Sequence, residues 1–523
     1  MFRTAMRFSV VLLLAAVACA PAAPTPSPSG PAAPAEPRRA AQQVLRIGTN
    51  VFPNGVTPFS SAFAFWSVGN QLDSLLQFDG NYDLVPGIAE RWELAPSGDA
   101  WRFYLRKDLT FSTGEKLTAD DVAHVIETGR AERMPVAQQD AQLRGARVID
   151  EHTVDILMAE RNVATLYVAP SWQIWSKKHY ESVGKSGFLA NPVGSGPYVL
   201  AEYVPSQTLV YKLRTDRPHP YRKPILTEIR ITNVPEPSAL INGMRTEEID
   251  MAIGSFSPDQ ARQAKDSGIT VVQPPRQASY YAILFNKDPI KGTPYEDKRV
   301  RLALNYAVDK ETIVKTLYAG FSQPISQLSL PGDPSYNPDL KPVPYDPATA
   351  RRLLAEAGYP NGFRAGSLDF VARPLNTSVL QAVQSMHRDI GVHWELNPVE
   401  SGVYVDIAYG LNGRDAQRKE MIEAGGSNNN GIWTFPWAFL KCSQPKPLYC
   451  SPELDRHMQL ALAELDKEKR NAHLRNAMKA WVDEWSMIYL VNSPQFSLLG
   501  TKVRGFTWTT QAFYYLDGIY KAE

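Results

Sequence analysis

Three stretches of this chain share one grammar, and it rules out most folds. In "SPDQARQAKDSGITVVQ", Ser257 can cap a helix, Pro258 suits its first position and Gly268 stops it; "ITVVQ" then reads as a strand. "YDPATARRLLAEAGYPNGF" repeats the pattern with Asp346, Pro347 and Gly358, and "SPELDRHMQLALAEL" begins it again with Ser451 and Pro452. "VLRIGTN" (44–50) reads as an opening strand, and "AWRFYLRKDLTF" alternates around Trp101, Phe103 and Leu105. "TADDVAHVIETG" starts a helix with Thr118 as N-cap and Asp121 completing a capping box. "KRVRLALNYAVDKETIVKTLYAG" sets Val300, Leu304, Ala307 and Val308 on one face, predicting a packed surface helix. Strands alternating with helices predict an α/β fold with helix-covered sheets. No internal repeat of 20–50 residues is present.

The N-terminus is of another kind. "MFRTAMRFSVVLLLAAVAC" has a basic start at Arg3 and Arg7, then an apolar run from Phe8 to Ala18 broken only by Ser9. This is a signal-peptide pattern, too short to span a bilayer. "AVAC" (16–19) resembles the lipobox of bacterial lipoproteins, with Ala16 where Leu is usual. The resemblance implies cleavage after residue 18 and lipidation of Cys19; the alternative is an ordinary signal peptide with an incidental cysteine. Residues 19–43 are a Pro/Ala-rich stretch that cannot bury a core and suits a tether. No later segment has about 18 consecutive apolar residues. The expected location is therefore outside the cytoplasm, in the periplasm or at the cell surface, held to the membrane through a lipid only.

The 480 residues from Val44 to Glu523 suit about three domains or lobes. Lys and Arg number 55 against 54 Asp and Glu, so no nucleic-acid partner is expected. Seven residues lie between Cys442 and Cys450, a spacing that suits a local disulfide in an exported chain. A zinc site would need more ligands, and His457 is the sole histidine close in sequence.

Catalytic signatures are missing. There is no GxSxG elbow; "VGSGPY" has Gly194, Ser195 and Gly196 at the wrong spacing. There is no HExxH, P-loop or GxGxxG, and no histidine pair at i, i+4. Binding without catalysis, metal or cofactor is the expected mode.

"GIAERWELAPSGDAWRFYLRKDLTFSTGEKLTADDV" (87–122) closely resembles the signature of bacterial extracellular solute-binding proteins of family 5, the dipeptide, oligopeptide and nickel-type receptors of ABC importers. Ala89, Glu90, Trp92, Glu93, Leu105, Arg106, Phe111, Gly114, Thr118, Ala119, Asp121 and Val122 carry it. "NPVGSGPYVL" is similar to the family's Pro-Val-Gly-Thr-Gly-Pro-Tyr. "GMRTEEIDMAIG" resembles its Gly-Glu-x-Asp block, with Glu247 in place of the Gly. "YYAILFN", "RVRLALNYAVDKETIV", "RRLLAEAGYPNGF" and "VDEWSMIYLVNSPQFSLLG" follow in family order.

The resemblance implies a two-lobed periplasmic-binding-protein fold, with lobe I at 44–70, 190–283 and 490–523, an inserted subdomain at 71–189 and lobe II at 284–489. Hinge crossings would lie near Tyr280–Asn286 and Tyr489–Ser493. It implies a monomer that traps a small molecule or peptide between closing lobes and passes it to an ABC permease driven by separate ATPase subunits. A sensory or scavenging lipoprotein of the same fold is the second class, and a secreted hydrolase the third.

"GGSNNNGIWTFPWAF" (425–439) is the expected cleft wall of lobe II. Peptide-binding members carry an Asp there for the ligand's α-amino group, and this stretch has no acid. Asn428, Asn429, Asn430, Trp433, Phe435 and Trp437 are therefore expected to form a neutral, stacking-type site. It would suit a peptide, an oligosaccharide, a glycoconjugate or an opine-like ligand. Phe65, Trp66, Tyr280, Tyr281 and Asn286 are further candidates. Trp172 and Trp175 are expected in the core, and Arg299 and Arg301 in structural salt bridges.

Overall fold

The computed structural model describes residues 38–523 except 54, 60–67, 81–82, 139, 141, 275–278, 410–415, 428–440, 444–446 and 509–515. β1 (Val44–Thr49) opens the body. The next segment supplies β2 (Ala89–Leu94), β3 (Ala100–Leu105), α1 (Ala119–Ala131), β4 (Leu143–Asp150), β5 (Thr153–Met158) and α2 (Lys177–Ala190). Then come β6 (Tyr198–Val204), β7 (Thr208–Leu213), β8 (Glu228–Asn233), α3 (Pro237–Arg245), β9 (Met251–Gly254), α4 (Pro258–Asp266) and β10 (Thr270–Val272). After these lie β11 (Ser279–Phe285), α5 (Lys298–Tyr306), α6 (Lys310–Leu317), α7 (Pro347–Glu356), β12 (Phe363–Val371) and α8 (Pro374–Asp389). β13 (Val392–Val399), α9 (Ser401–Tyr409), β14 (Met421–Ser427), α10 (Pro452–Ala463), α11 (Lys467–Asp483), β15 (Met487–Asn492) and β16 (Phe496–Leu499) complete the main elements.

Local chemistry explains where the helices start and stop. The Thr118 N–H donates to Asp121 Oδ2 at 2.9 Å, so the capping box forms at α1. Ser257 Oγ accepts from the Gln260 N–H at 3.2 Å, and Gln260 Oε1 accepts from the Ser257 N–H at 2.8 Å. Gly268 and Gly358 sit at φ 83° and 96°, left-handed positions that end α4 and α7 at little steric cost. The predicted single helix from Lys298 is two helices. Asp309 Oδ1 accepts from the Thr312 N–H at 2.9 Å and starts α6, because aspartate favours an N-cap over a helix interior. Val300 and Leu304 in α5, and Ala307 and Val308 in the link before α6, are all buried, so the apolar pattern was a core pattern that runs past the end of the first helix.

Among the described residues three sheets have four or more strands. A seven-stranded sheet has the order β10-β16-β9-β1-β8-β7-β6, with β1 parallel to β8 and β9. Its two faces are built by strand alternation: Leu45, Ile47, Ile229 and Ile231 pack on one side, Ala252, Phe496 and Leu498 on the other. A five-stranded sheet has the order β13-β12-β14-β11-β15, with β12, β13 and β14 mutually parallel and β11 and β15 antiparallel. A four-stranded antiparallel sheet, β2-β3-β5-β4, comes wholly from residues 89–158. Trp172 and Trp175 are buried, Trp175 against Phe188 with ring centroids 5.1 Å apart.

The chain passes between the seven- and five-stranded sheets twice, between Val272 and Ser279 and between Asn492 and Phe496. All of Ser279–Phe285 pairs inside the five-stranded sheet, so the first crossing lies upstream of Tyr280. A third tie is not covalent. Phe321 stacks edge-on against Phe496 at 5.1 Å, its carbonyl accepts from Gln273 Nε2 at 3.1 Å, and Asn492 N–H donates to Gln323 O at 3.0 Å.

The "VGSGPY" segment has a structural task. Ser195 Oγ donates to Asp73 Oδ2 at 2.8 Å, which also meets His219 Nε2 at 2.9 Å; Arg222 bridges Asp73 and Asp517. Burial pushes the Asp73 carboxyl up, but the His219 hydrogen bond and charge, with Arg222 and Ser195, outweigh it and hold it well below the usual carboxylate range. A Cβ on Gly196 would stand 2.6 Å from Gln71 O, so the flanking glycine permits the backbone approach. Cys442 and Cys450 are disulfide-bonded, with Cα atoms 4.9 Å apart. Among the described residues no helix is long and apolar enough to cross a membrane.

Candidate functional site

In open α/β sheets a ligand sits outside the carboxyl ends of the parallel strands. In the seven-stranded sheet these ends are Thr49, Asn233 and Gly254; in the five-stranded sheet they are Val371, Val399 and Ser427. Register places the crossings beside both sets, because Ser279 pairs with Ser427 and Phe496 with Gly254. The two carboxyl edges therefore meet at the crossings, and this junction is the candidate site.

On the seven-stranded side the edge is closed by reciprocal hydrogen bonds. Asn50 Nδ2 donates to Ser255 O and the Ser255 N–H donates to Asn50 Oδ1, both at 2.8 Å. Buried Thr49 accepts from the Val51 N–H through Oγ1 at 3.1 Å.

On the five-stranded side the central group is Glu423, in β14 and buried. Its Oε1 accepts from the Val371 N–H at 2.8 Å; its Oε2 accepts from Tyr281 Oη and Asn376 Nδ2, each at 3.0 Å. Tyr404 Oη donates to the Glu423 carbonyl at 2.5 Å. Burial pushes the Tyr281 phenol well above its ordinary value and the Glu423 carboxylate adds to that, so Tyr281 stays a donor.

Next to this cluster stands Arg373, exposed, two residues past the end of β12 and at the N-cap position of α8. It makes no side-chain cap bond, and among the described residues no hydrogen bond or ion pair engages its guanidinium. Arginine is a poor N-cap, since that position wants an oxygen to accept from the first helical N–H groups.

The sequence-predicted residues fall in three groups. Tyr280 and Tyr281 lie at the carboxyl edge on opposite faces of β11, and both are buried. Asn286 lies at the far edge, because a seven-residue strand separates it from the first crossing. Its Nδ2 donates to Lys419 O at 2.7 Å and it is 1% exposed, so its amide anchors the entry to β14. Phe65, Trp66, Asn428, Asn429, Asn430, Trp433, Phe435 and Trp437, with Cys19, lie outside the described residues; residues 428–440 follow directly on β14. Arg299 pairs with Asp297 at 2.6 Å, whereas buried Arg301 meets no carboxylate among the described residues and donates to four backbone carbonyls and Tyr449 Oη. Neither Glu423 nor Arg373 was among the expected site residues; Glu423 stood out in the sequence only as the nearest acid upstream of 425–439. The one available signal was an acid inside the apolar run "MIEA" of β14.

No group of three or more metal-ligating side chains occurs among the described residues. The profile of the bacterial extracellular solute-binding proteins, family 5 (middle), matches residues 83–445. Heme-binding protein A of Haemophilus influenzae is 26% identical over 462 residues, covering 82% of each chain. The dipeptide-binding protein of Escherichia coli is 24% identical over 494 residues, covering 87% of this chain and 89% of that one. The periplasmic binding protein DppA of Helicobacter pylori, solved with the peptide STSA, superposes with a TM-score of 0.72 at 21% identity, covering 92% of this chain and 98% of that one. The fold is that of the family 5 periplasmic binding proteins, and its members bind solutes rather than transform them. The chain belongs to the bacterial extracellular solute-binding proteins of family 5 and is a substrate-binding protein of the ABC-transporter type.

Proposed function

We propose that this protein captures a small peptide or peptide-like solute bearing a free carboxylate and delivers it to an ABC permease. The observation that carries the reading is Arg373, a guanidinium without a partner among the described residues at the carboxyl edge of the five-stranded sheet. A planar fork of N–H donors suits a carboxylate in bidentate fashion. The missing acid between Gly425 and Phe439 points the same way: recognition rests on the ligand's carboxylate more than on its amine. In this reading the seven- and five-stranded sheets are the cores of lobes I and II, 71–189 is the inserted subdomain, and the lobes close about the crossings. Asn428 to Asn430 and Trp433, Phe435 and Trp437 then supply neutral, stacking contacts from lobe II. Export ends with a lipid on Cys19 and a tether through residue 43.

The name of the dipeptide-binding relative and the peptide held by the solved neighbour support a peptide; the heme-binding relative keeps a non-peptide acid as the second reading. Native mass spectrometry of freshly purified protein, then thermal-shift screening of di- and tripeptides, tests it. A bound solute at 100 times its Kd adds about 2.7 kcal/mol of stability. Free-acid peptides should bind, N-acetylated ones should bind as well, and Arg373→Ala should abolish the preference for acid over amide. Loss of binding on N-acetylation, or an unchanged preference in Arg373→Ala, overturns the reading.

A further inference from the structure

Glu423 is 4% exposed, and all three donors to its carboxylate are neutral: a phenol, an amide and a backbone N–H. No cation pairs with it among the described residues. A buried carboxylate is costly unless hydrogen-bonded, so a side chain kept this way at the carboxyl edge calls for a reason beyond packing.

The placement of the donors supplies one. Val371 lies two residues before Arg373 and Asn376 three residues after it. One carboxylate therefore grips both shoulders of the turn that carries the arginine. Past it the Thr377 N–H donates to the Arg373 carbonyl at 2.8 Å, but the Arg373 side chain does not cap α8 and Pro374 has no N–H to give. The third bond, from Tyr281, ties the same carboxylate to β11, the first strand after the crossing.

We propose that Glu423 is a positioning residue of the ligand site: its carboxylate clamps the 371–376 turn, aims Arg373 and couples that aim to β11. The proposal rests on the reading that Arg373 meets the ligand's carboxylate. Glu423→Gln keeps the size of the side chain but cannot accept all three bonds through a carboxylate.

Trialanine and trialanine amide, titrated calorimetrically into full-length protein, are the probes. In Glu423→Gln the acid-over-amide preference should fall about tenfold, the scale of a lost charge-assisted hydrogen bond, because affinity for the acid falls more than affinity for the amide. Hydrogen–deuterium exchange of the ligand-free variant should quicken from Val371 to Thr377 and stay unchanged in the rest of β12. Tyr281→Phe, which removes one of the three bonds, should move both readouts the same way by less, and it decides the matter if Glu423→Gln does not fold. A retained preference, an equal weakening of acid and amide, or unchanged exchange from Val371 to Thr377 overturns the proposal. If Arg373→Ala keeps the preference, or trialanine does not bind the wild type, the reading of the site fails instead; the exchange result still decides whether Glu423 clamps the turn.

Discussion

Trp394 Nε1 donates to His387 Nδ1 at 2.9 Å in the buried layer between α8 and β13. This fixes the tautomer: the proton is on Nε2, which donates to Leu304 O at 3.1 Å. Burial, aided by the nearby Lys310 charge, pushes the imidazole down from 6.5 to about 4 against the opposing pull of the Leu304 carbonyl. Between those pH values the unfolded chain binds a proton that the folded chain refuses. Stability is thus present above pH 6.5 and drains away as pH falls toward 4, by up to about 1.4 kcal/mol per pH unit from this group. Urea unfolding of wild type and His387→Gln across that window should show the shallower slope in the variant.

Glu247 occupies a left-handed backbone position, φ 59°, where the family block has glycine. A side chain there costs about 1 kcal/mol or more. Its contact with Lys502 at 2.8 Å is exposed and gives back little. Glu247→Gly should leave stability unchanged or raise it by about 0.5–1 kcal/mol, read as a higher urea midpoint.

Arg301 satisfies the carbonyls of Tyr295, Glu296, Glu484 and Trp485 from a buried position. Arg301→Met keeps the stem and orphans the carbonyls, so a loss of about 2–4 kcal/mol is expected. Arg301→Lys should recover only part, because a point-like ammonium cannot fork toward four acceptors. Chemical denaturation of both variants checks the ranking.

Gly196→Ala should destabilise by about 1–3 kcal/mol, since the added Cβ meets the Gln71 and Asn70 carbonyl oxygens at 2.6 and 2.7 Å and backbone yields poorly. Gly402→Ala, whose Cβ meets nothing within 4 Å on α9, is the matched control and should be neutral or stabilising. Thermal melts of the pair separate contact from composition.

Much of the fold was legible because its signals are local. Thr118 with Asp121, Ser257 with Pro258, and the glycines at 268 and 358 act within a few residues and do what their chemistry requires. The alternation around Trp101, Phe103 and Leu105 is likewise a property of one strand. The misread helix after Lys298 shows the limit: both halves bury one apolar face, and a single aspartate decides that they part. The site was less legible because it is assembled across long separations. Glu423 meets Tyr281 from the neighbouring strand, 142 residues away in sequence, and Arg373 stands where β12 ends, which pairing decides. Arg301 was read as an ion-pair residue because sequence shows charge but not the carbonyls that surround it.

β16 has a temporal consequence. It lies between β9 and β10, with Leu499 paired to both Met251 and Thr270. The seven-stranded sheet therefore has a gap between its edge strand β10 and β9 until β16 has been made. Closing that gap requires a very long loop to be gathered, which is slow. Chain order thus postpones completion of this sheet until β16 arrives to join two strands laid down long before it.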